Sequence, residues 1–537
     1  MRAIDKNKIR ILAAALPLLL LGCNKGDTRS PVSIEEVEAH IRFLSDDLLE
    51  GRAIGSEGLA LAALYQESWF RSHGLEPAFG ESYRQPLTLI GAQPDRDASL
   101  EVFSSTGSLQ LRYLEDFVIN SERRDNPEGV EGELVYCGYL IQAPERDWDD
   151  LKGADLKGKV LLVEVNEPGN EPEGIFDGTD MTYYGRWVYK FEKASELGAA
   201  GILLIHNTKG AAYGWSTVRT SWSLESFFLP EKDNRLFFQG WINGEAAARI
   251  FESAGYDRAS LFESAGKEDF RPVTLGMSAR VRQKTAFRSV ESENVAAVLR
   301  GKHPGHTGRT IILSAHYDHF GRNEALEGDQ IYNGAVDNCA ASASMLALAS
   351  LYSRKPEDLK VDLLFVAVTA EEEGMLGSDY FVRHLPVAPD SVLGNLNFEM
   401  TGVWGETEDV YAIGARHSDL DGFCRQAAEA LGLNYIPERD AKLGYFFRSD
   451  QLSFVKGGIP GVWLHEGITS RGEDPDYIKG KHKRYRESRY HKVADEMEED
   501  WDLSGTVQIV LWADKIIQLL AAAEDLPQFA PTSSFKR

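Results

Sequence analysis

The chain has 537 residues, of which 43% are hydrophobic, 26% charged and 10% aromatic, a composition that excludes collagen, coiled-coil and disordered architectures. At roughly 100–200 residues per domain this length allows two or three domains, each able to bury a core. Lys+Arg 58 against Asp+Glu 83 give a net charge of -25, a surface that repels phosphate backbones and anionic lipid, so no nucleic-acid partner is expected.

The first residues, MRAIDKNKIR, are basic; the run ILAAALPLLLL that follows is apolar and ends at Gly22-Cys23. A basic start, about a dozen apolar residues and a small residue before a cut describe a secretory signal, because a spanning helix needs about 20 apolar residues. Leu20-Leu21-Gly22-Cys23 also resembles the bacterial lipobox, in which the cysteine is lipidated and becomes the first residue of the mature chain. Residues 1–22 are therefore read as a signal peptide of lipoprotein type. The expected protein is exported from a bacterial cell and periplasmic or on the cell surface, with membrane contact only through a lipid anchor at Cys23. The remaining cysteines, Cys137, Cys339 and Cys424, form no close pair or Cys/His cluster and are read as buried free thiols.

From Ser33 to Gly74 the apolar spacing is helical (Ile34, Val37, Ile41, Leu44, then Leu59, Ala62, Ala63, Phe70), with a glycine-rich loop, GRAIGSEG, between two helices. From about Gly132 short β runs and Gly/Asp turns take over, and KASELGAAGILLIH (193–206) reads as a helix, a glycine stop and a buried strand. Long apolar strands return near Ser292: Val295–Leu299, Thr310–Ser314, Val361–Thr369 and Gly461–Leu464, alternating with helices over Ala340–Tyr352, Leu420–Leu431 and Leu503–Leu520. That alternation predicts an α/β fold with a mostly parallel central sheet between helical layers and ligands at the carboxyl ends of its strands. A smaller β-rich α/β domain would be inserted into it. The expected limits are 23–125 for the N-terminal part of the catalytic domain, 126–285 for the insert, 286–525 for the rest of the catalytic domain and 526–537 for a flexible tail.

Chemistry-bearing residues gather at the expected strand ends. His316-Tyr317-Asp318-His319 closes the strand from Ile311, Asp337 lies in a tight loop before a helix, Glu371-Glu372-Glu373 follows Val361–Thr369, Glu399 follows Phe398, and Tyr490-His491 lies far downstream. Singly, His316 reads as a structural histidine and the triple glutamate as a solvated helix start. Together, two imidazoles and several carboxylates at successive strand ends form a ligand set for a pair of divalent cations, with zinc favoured by the imidazoles.

These segments resemble the co-catalytic zinc aminopeptidases, the family that includes bacterial leucyl aminopeptidases, aminopeptidase Y and glutamate carboxypeptidase. The resemblance is carried by SAHYDH (314–319), GDQIYNGAVDN (328–338), TAEEEGMLGS (369–378), NFEMTG (397–402), RSDQLSF (448–454) and YHKVAD (490–495). The segment 193–206 looks like part of a protease-associated domain, and GWSTVRTSWSLE (214–225) like an insert found in such peptidases. The resemblance implies a three-layer zinc-exopeptidase fold with two Zn2+ per chain, and a peptide substrate cleaved at its amino-terminal bond. Asp337 would bridge the metals, with His316 and Glu399 on one ion and Glu372 and His491 on the other. Glu371 would act as general base on a metal-bridging water, Asp318 would fix the His316 ring, and Tyr490 would stabilise the oxyanion. It also implies a cis Asp337–Asn338 peptide. Arg448 is a candidate for a substrate carboxylate or carbonyl, although a solvated arginine fits equally well at this position. Two departures stand out: Glu399 where many relatives carry Asp, and Gln451 where the Ser-Asp-His pattern has an imidazole. A carboxypeptidase or other amide hydrolase on the same metals, and a non-catalytic surface binding protein, remain the alternatives; side-chain preference and oligomeric state are open.

Overall fold

The computed structural model describes residues 30–125, 129–169, 174–231, 236–472 and 474–537. The signal segment and Cys23 lie outside the described residues. No helix among the described residues is long and apolar enough to cross a membrane.

Two sheets organise the chain. The larger has ten strands, and its centre is built from Asp362–Val368, Thr310–His316, Val392–Phe398 and Gly461–Glu466, paired in parallel in that order. Each is a near-continuous apolar run because both faces are covered. In the strand Thr310–His316, Ile311, Leu313 and Ala315 pack with helices Ile34–Leu44, Glu57–Ser72, Ala341–Ser353 and Ser504–Ala521, while Ile312 faces the opposite layer with Phe381 and Phe454. Helix starts follow local chemistry: the side chains of Ser33 and Ser56 accept from the backbone N–H groups of Glu36 and Leu59.

The expectation of a mostly parallel sheet is corrected. On either side of the four central strands the pairing turns antiparallel, with Thr285–Leu299 against both Asp362–Val368 and Arg84–Pro94 and Asp409–Ile413 against Gly461–Glu466, and the short outer strand Asn434–Tyr435 is parallel again.

The second sheet has eight strands and two apolar faces, one carrying Leu162 and Leu203 and the other Leu161, Val163 and Trp241. Its strands run from Ser99 to Arg282, so the boundary expected at 125/126 is also corrected. Ser99–Ser104 and Gly107–Leu111 form a hairpin whose first strand pairs with Val273–Arg282, and Phe117–Asn120 pairs with Phe238–Asn243. Ser226–Phe228 leaves this region and adds an edge strand to the larger sheet, against Arg84–Pro94. Cys137, Cys339 and Cys424 are buried and free, as expected.

Residues 526–537 are no loose tail. Phe529 pairs in register with Ser418, Ala530 N–H donates to the His417 carbonyl, Arg537 donates to the Val392 carbonyl, and Phe535 is buried against Phe446, Phe447 and His417. An aromatic side chain shed from water offsets the ordering entropy of a short terminal segment. Phe535→Ala is expected to destabilise the protein by about 3 kcal/mol, read as a lower urea midpoint at unchanged slope. An unshifted midpoint would show the tail to be dispensable.

Candidate metal centre

The parallel register sets the site. His316 is paired with Val368, so the ends of two adjacent strands deliver His316 and, three residues past Val368, Glu371 and Glu372 to one place. Val392–Phe398, on the other side of Thr310–His316, ends immediately before Glu399. Asp337 arrives from the turn ahead of the helix Ala341–Ser353, and His491 from the segment after the helix Tyr477–Ser488.

The two carboxylate oxygens of Asp337 face different histidines. Oδ1 lies 3.4 Å from His316 Nε2, and Oδ2 lies 3.2 Å from His491 Nε2. His316 Nε2 is also 3.3 Å from Glu399 Oε1, and His491 Nε2 is 3.6 Å from Glu372 Oε2. The donor atoms of His316, Asp337 and Glu399 all lie within 4.8 Å of one another. The second group whose donor atoms lie within 4.8 Å of one another is His319, Asp337 and Glu372, with His491 approaching Asp337 and Glu372 from the exposed side, and the Asp337–Asn338 peptide is cis.

The surroundings hold each side chain in place. Asp318 accepts from the backbone N–H groups of Glu371 and Glu372 at 3.1 and 3.3 Å, while its carboxylate stays 3.7 Å from His316 Nδ1. Its main action is thus on the glutamate loop; the His316 ring contact expected of it is longer, with the Asp318 carbonyl 3.3 Å from Nδ1. Asn338 bridges to the Glu399 strand, donating to the Phe398 carbonyl and accepting from Met400 N–H. Ser449 donates to Glu399 Oε2 at 2.8 Å, which leaves Oε1 on the side of His316. Gln451 is buried away from the metal ligands: it accepts from Asn397 and donates to the Phe446 carbonyl. Asn397 also donates to Ser449, so the Gln451 position reaches the centre only through that chain of hydrogen bonds.

Three residues escaped the sequence reading. His319 Nδ1 is 2.6 Å from Glu372 Oε1, giving the cluster a third imidazole; its signal was the last residue of SAHYDH. Asp495 accepts from Val336 and Asp337 N–H and from the Tyr485 hydroxyl, fixing the Asp337 turn from below; it closes the motif YHKVAD. Arg52 is a buried guanidinium that donates to the carbonyls of Leu44, Tyr317, Asn333 and Gly334, tying the strand end at 317 to the turn that carries Asp337. It follows Gly51, whose φ of +69° and 2.4 Å approach of a would-be Cβ to the Gly321 carbonyl admit no side chain.

The charge balance is lopsided. Burial and the carboxylates of Glu399 and Glu372 hold Glu371 well above the usual carboxylate range, even against His316. Burial, reinforced by Asp337, does the same to Glu372. Burial alone would lower His316, but Glu399, Glu371 and Asp337 outweigh it and keep the imidazole well above its usual range. Asp337 is held well below its usual range, because the hydrogen bonds of His316 and His491 overcome its burial. Such an excess of buried carboxylates calls for added positive charge. A mixed imidazole and carboxylate donor set is the chemistry that zinc accepts, so the residues fit the metal.

The cluster opens into a cavity of about 1430 Å³. Its walls include Tyr490, Arg448 and Trp404 from the larger-sheet region and Arg186, Phe191 and Trp222 from the second. Tyr490, 38% exposed, stacks on His491 at 3.8 Å, and partial burial together with the facing carboxylates of Asp337 and Glu372 raises its hydroxyl above the usual tyrosine range.

Residues 294–513 match the model of Peptidase family M28. The chain is 28% identical over 408 residues to aminopeptidase YwaD of Bacillus subtilis (strain 168), covering 69% of this chain and 70% of that one. It is 28% identical over 181 residues to a probable leucine aminopeptidase of Arthroderma benhamiae, covering 32% and 47% respectively. An aminopeptidase from Aneurinibacillus sp. strain AM-1 shares the fold with a TM-score of 0.52 at 19% identity, over 92% of this chain and 96% of that one. The similarity to Peptidase family M28 thus lies in residues 294–513, and together with the aminopeptidase relative it supports a zinc metallopeptidase.

Replacing Arg52 with Met leaves four carbonyls without their donor and frees the Asp337 turn. Zinc affinity is expected to fall about 10- to 100-fold, the range seen when groups behind metal ligands are removed. Chelator competition, with circular dichroism to establish folding, measures it; a folded variant that binds zinc as tightly as the wild type would refute this role.

Proposed function

We propose that this protein is an exported zinc-dependent exopeptidase that removes amino-terminal residues from peptides, tethered through lipid at Cys23. The observation that carries the metal reading is the pairing of the two Asp337 oxygens with two different histidines, His316 and His491. Two zinc ions would be held by His316, Asp337 and Glu399 and by Asp337, Glu372 and His491, and would supply Lewis acidity to the scissile carbonyl and to the attacking water.

The remaining work falls to the chain's own residues. Glu371, 3.9 Å from His316 Nε2 and bordering the cavity, takes the proton of the attacking water and returns it to the leaving amine. Asp318 fixes its backbone, so the carboxylate does not have to be ordered when substrate arrives. The Tyr490 hydroxyl, kept protonated, donates to the oxyanion. His319 holds Glu372 Oε1, leaving Oε2 on the side of His491. The region of the second sheet is a protease-associated domain that walls the cavity. A carboxypeptidase reading draws support from Arg448, a guanidinium in the cavity wall that could meet a terminal carboxylate. The filled ligand set speaks against a non-catalytic binding protein.

Hydrolysis of aminoacyl-anilides and of one tripeptide tests the reading. Release of the first residue, loss of activity with amino-blocked substrates, and zinc-reversible inhibition by chelator are expected; release of the last residue instead would establish the carboxypeptidase. Glu371→Gln should retain zinc while kcat falls about 10²- to 10⁴-fold, because an amide cannot accept the water's proton. Asp337→Ala should lose zinc instead. An active Glu371→Gln enzyme would remove Glu371 from the base role.

The anchor is tested separately. Cys23→Ser should move the protein out of the membrane fraction or leave it unprocessed, with its zinc-dependent activity intact. A wild-type protein that is wholly soluble, with no acyl mass on its first residue, would end the lipoprotein reading.

A further inference from the structure

The side chains of the metal centre are not equally enclosed. His316, Asp337 and Glu399 are buried, whereas the His491 side chain keeps 37% of its surface open to solvent. Its ring also lacks a common restraint. A metal-binding imidazole ordinarily donates its second ring N–H to a carbonyl, a carboxylate or water, which fixes the ring's orientation. The Asp318 carbonyl lies 3.3 Å from His316 Nδ1, but His491 Nδ1 has no hydrogen-bond partner among the described residues; only Nε2 is engaged, by Asp337 and Glu372. The backbone of His491 is left-handed, with φ of +56°, in a turn where Tyr490 N–H donates to the Tyr485 carbonyl and Lys492 N–H to that of Arg489.

Two aromatic rings hold the imidazole instead. Tyr490 stacks on it with 3.8 Å between centroids and 29° between planes, and Phe320 meets it at 4.7 Å and 71°, edge to face. Such pairs fix orientation as well as distance, because ring faces are negative and ring edges positive. Phe320 is exposed and stands outside the cavity wall, so contact with substrate does not account for it. Its ring neighbours are His319, Tyr332 and His491. The backbone on either side of it is fixed: His319 N–H donates to the Arg52 carbonyl at 3.1 Å, Gly321 pairs in register with Tyr332, and a Cβ at Gly51 would come within 2.4 and 2.6 Å of the carbonyl oxygens of those two residues. Phe320 therefore presents its ring from a rigid platform.

We propose that Phe320 is a positioning residue of the metal centre: with Tyr490 it clamps the His491 ring so that Nε2 stays aimed at Asp337 and Glu372, in place of a hydrogen bond at Nδ1. The clamp rests on the two-zinc reading above. Without Phe320 every ligand is still present, but the His491 ring is free to turn, so the ion on that side alone is weakened. Tyr490 is the other jaw, and the same contact keeps its hydroxyl beside the metals.

Competition with a zinc indicator, run on the purified whole protein, reads the affinity of each ion. The wild type is expected to hold two. In Phe320→Ala one ion should bind about 10-fold more weakly, at the lower end of the range for groups behind metal ligands, and the other as in the wild type. Phe320→Tyr, which keeps the ring, should restore the wild-type value. In a His491→Ala background, Phe320→Ala should add nothing, because the ring it acts through is gone. Unchanged zinc affinity in Phe320→Ala, equal weakening of both ions, or the same loss with and without His491 would each overturn the clamp. Circular dichroism establishes folding, and Phe320→Leu, with apolar bulk but no ring, carries the same comparison where the alanine variant does not fold. A wild-type protein that binds a single ion overturns the two-zinc reading instead; the clamp then stands or falls on whether Phe320→Ala weakens that ion through His491 in the same double comparison.

Discussion

Six carboxylates, those of Asp318, Asp337, Glu371, Glu372, Glu399 and Asp495, meet at or beside one buried point, and every other feature of the centre answers the repulsion among them. Like charges in a medium of low dielectric cannot all remain ionised without compensation. Backbone N–H groups compensate Asp318 and Asp495, a serine hydroxyl engages Glu399, and three imidazoles face Asp337, Glu372 and Glu399. What remains calls for added positive charge, which a divalent metal such as zinc would supply.

The parallel strands are the device that makes the crowding possible. Their carboxyl ends lie side by side, so Thr310–His316, Asp362–Val368 and Val392–Phe398 each contribute side chains to the same place through loops of only a few residues. Short loops leave little conformational freedom, and what freedom remains is removed by hydrogen bonds to Asp318, Asp495 and Arg52. Arg52 is notable in physical terms because its charge meets only carbonyl dipoles, which fasten two loops without neutralising the acids that need the metals.

The second sheet changes what the centre can accept. It supplies Arg186, Phe191 and Trp222 to the cavity, and the excursion Ser226–Phe228 joins the larger sheet as its edge strand, tying the wall to that sheet from within the insert. Enclosure strengthens electrostatic contacts inside the cavity by excluding water.

The residues that gather around Asp337 were legible in the sequence, because each stands at the end of an apolar strand run or in a motif whose spacing survives in one dimension: His316, Asp337, Glu371, Glu372, Glu399 and His491. The central strands and long helices were legible for the same reason, since burial on both faces or on one stripe leaves a periodic trace. The antiparallel flanks, the start of the second sheet at Ser99 and the packed tail were not, because strand partners and terminal docking depend on contacts between segments distant in sequence. Arg52 and Asp495 were hidden similarly: nothing local distinguishes a buried arginine in a glycine-rich loop, or the last residue of a motif, until the loops they fasten are seen beside them.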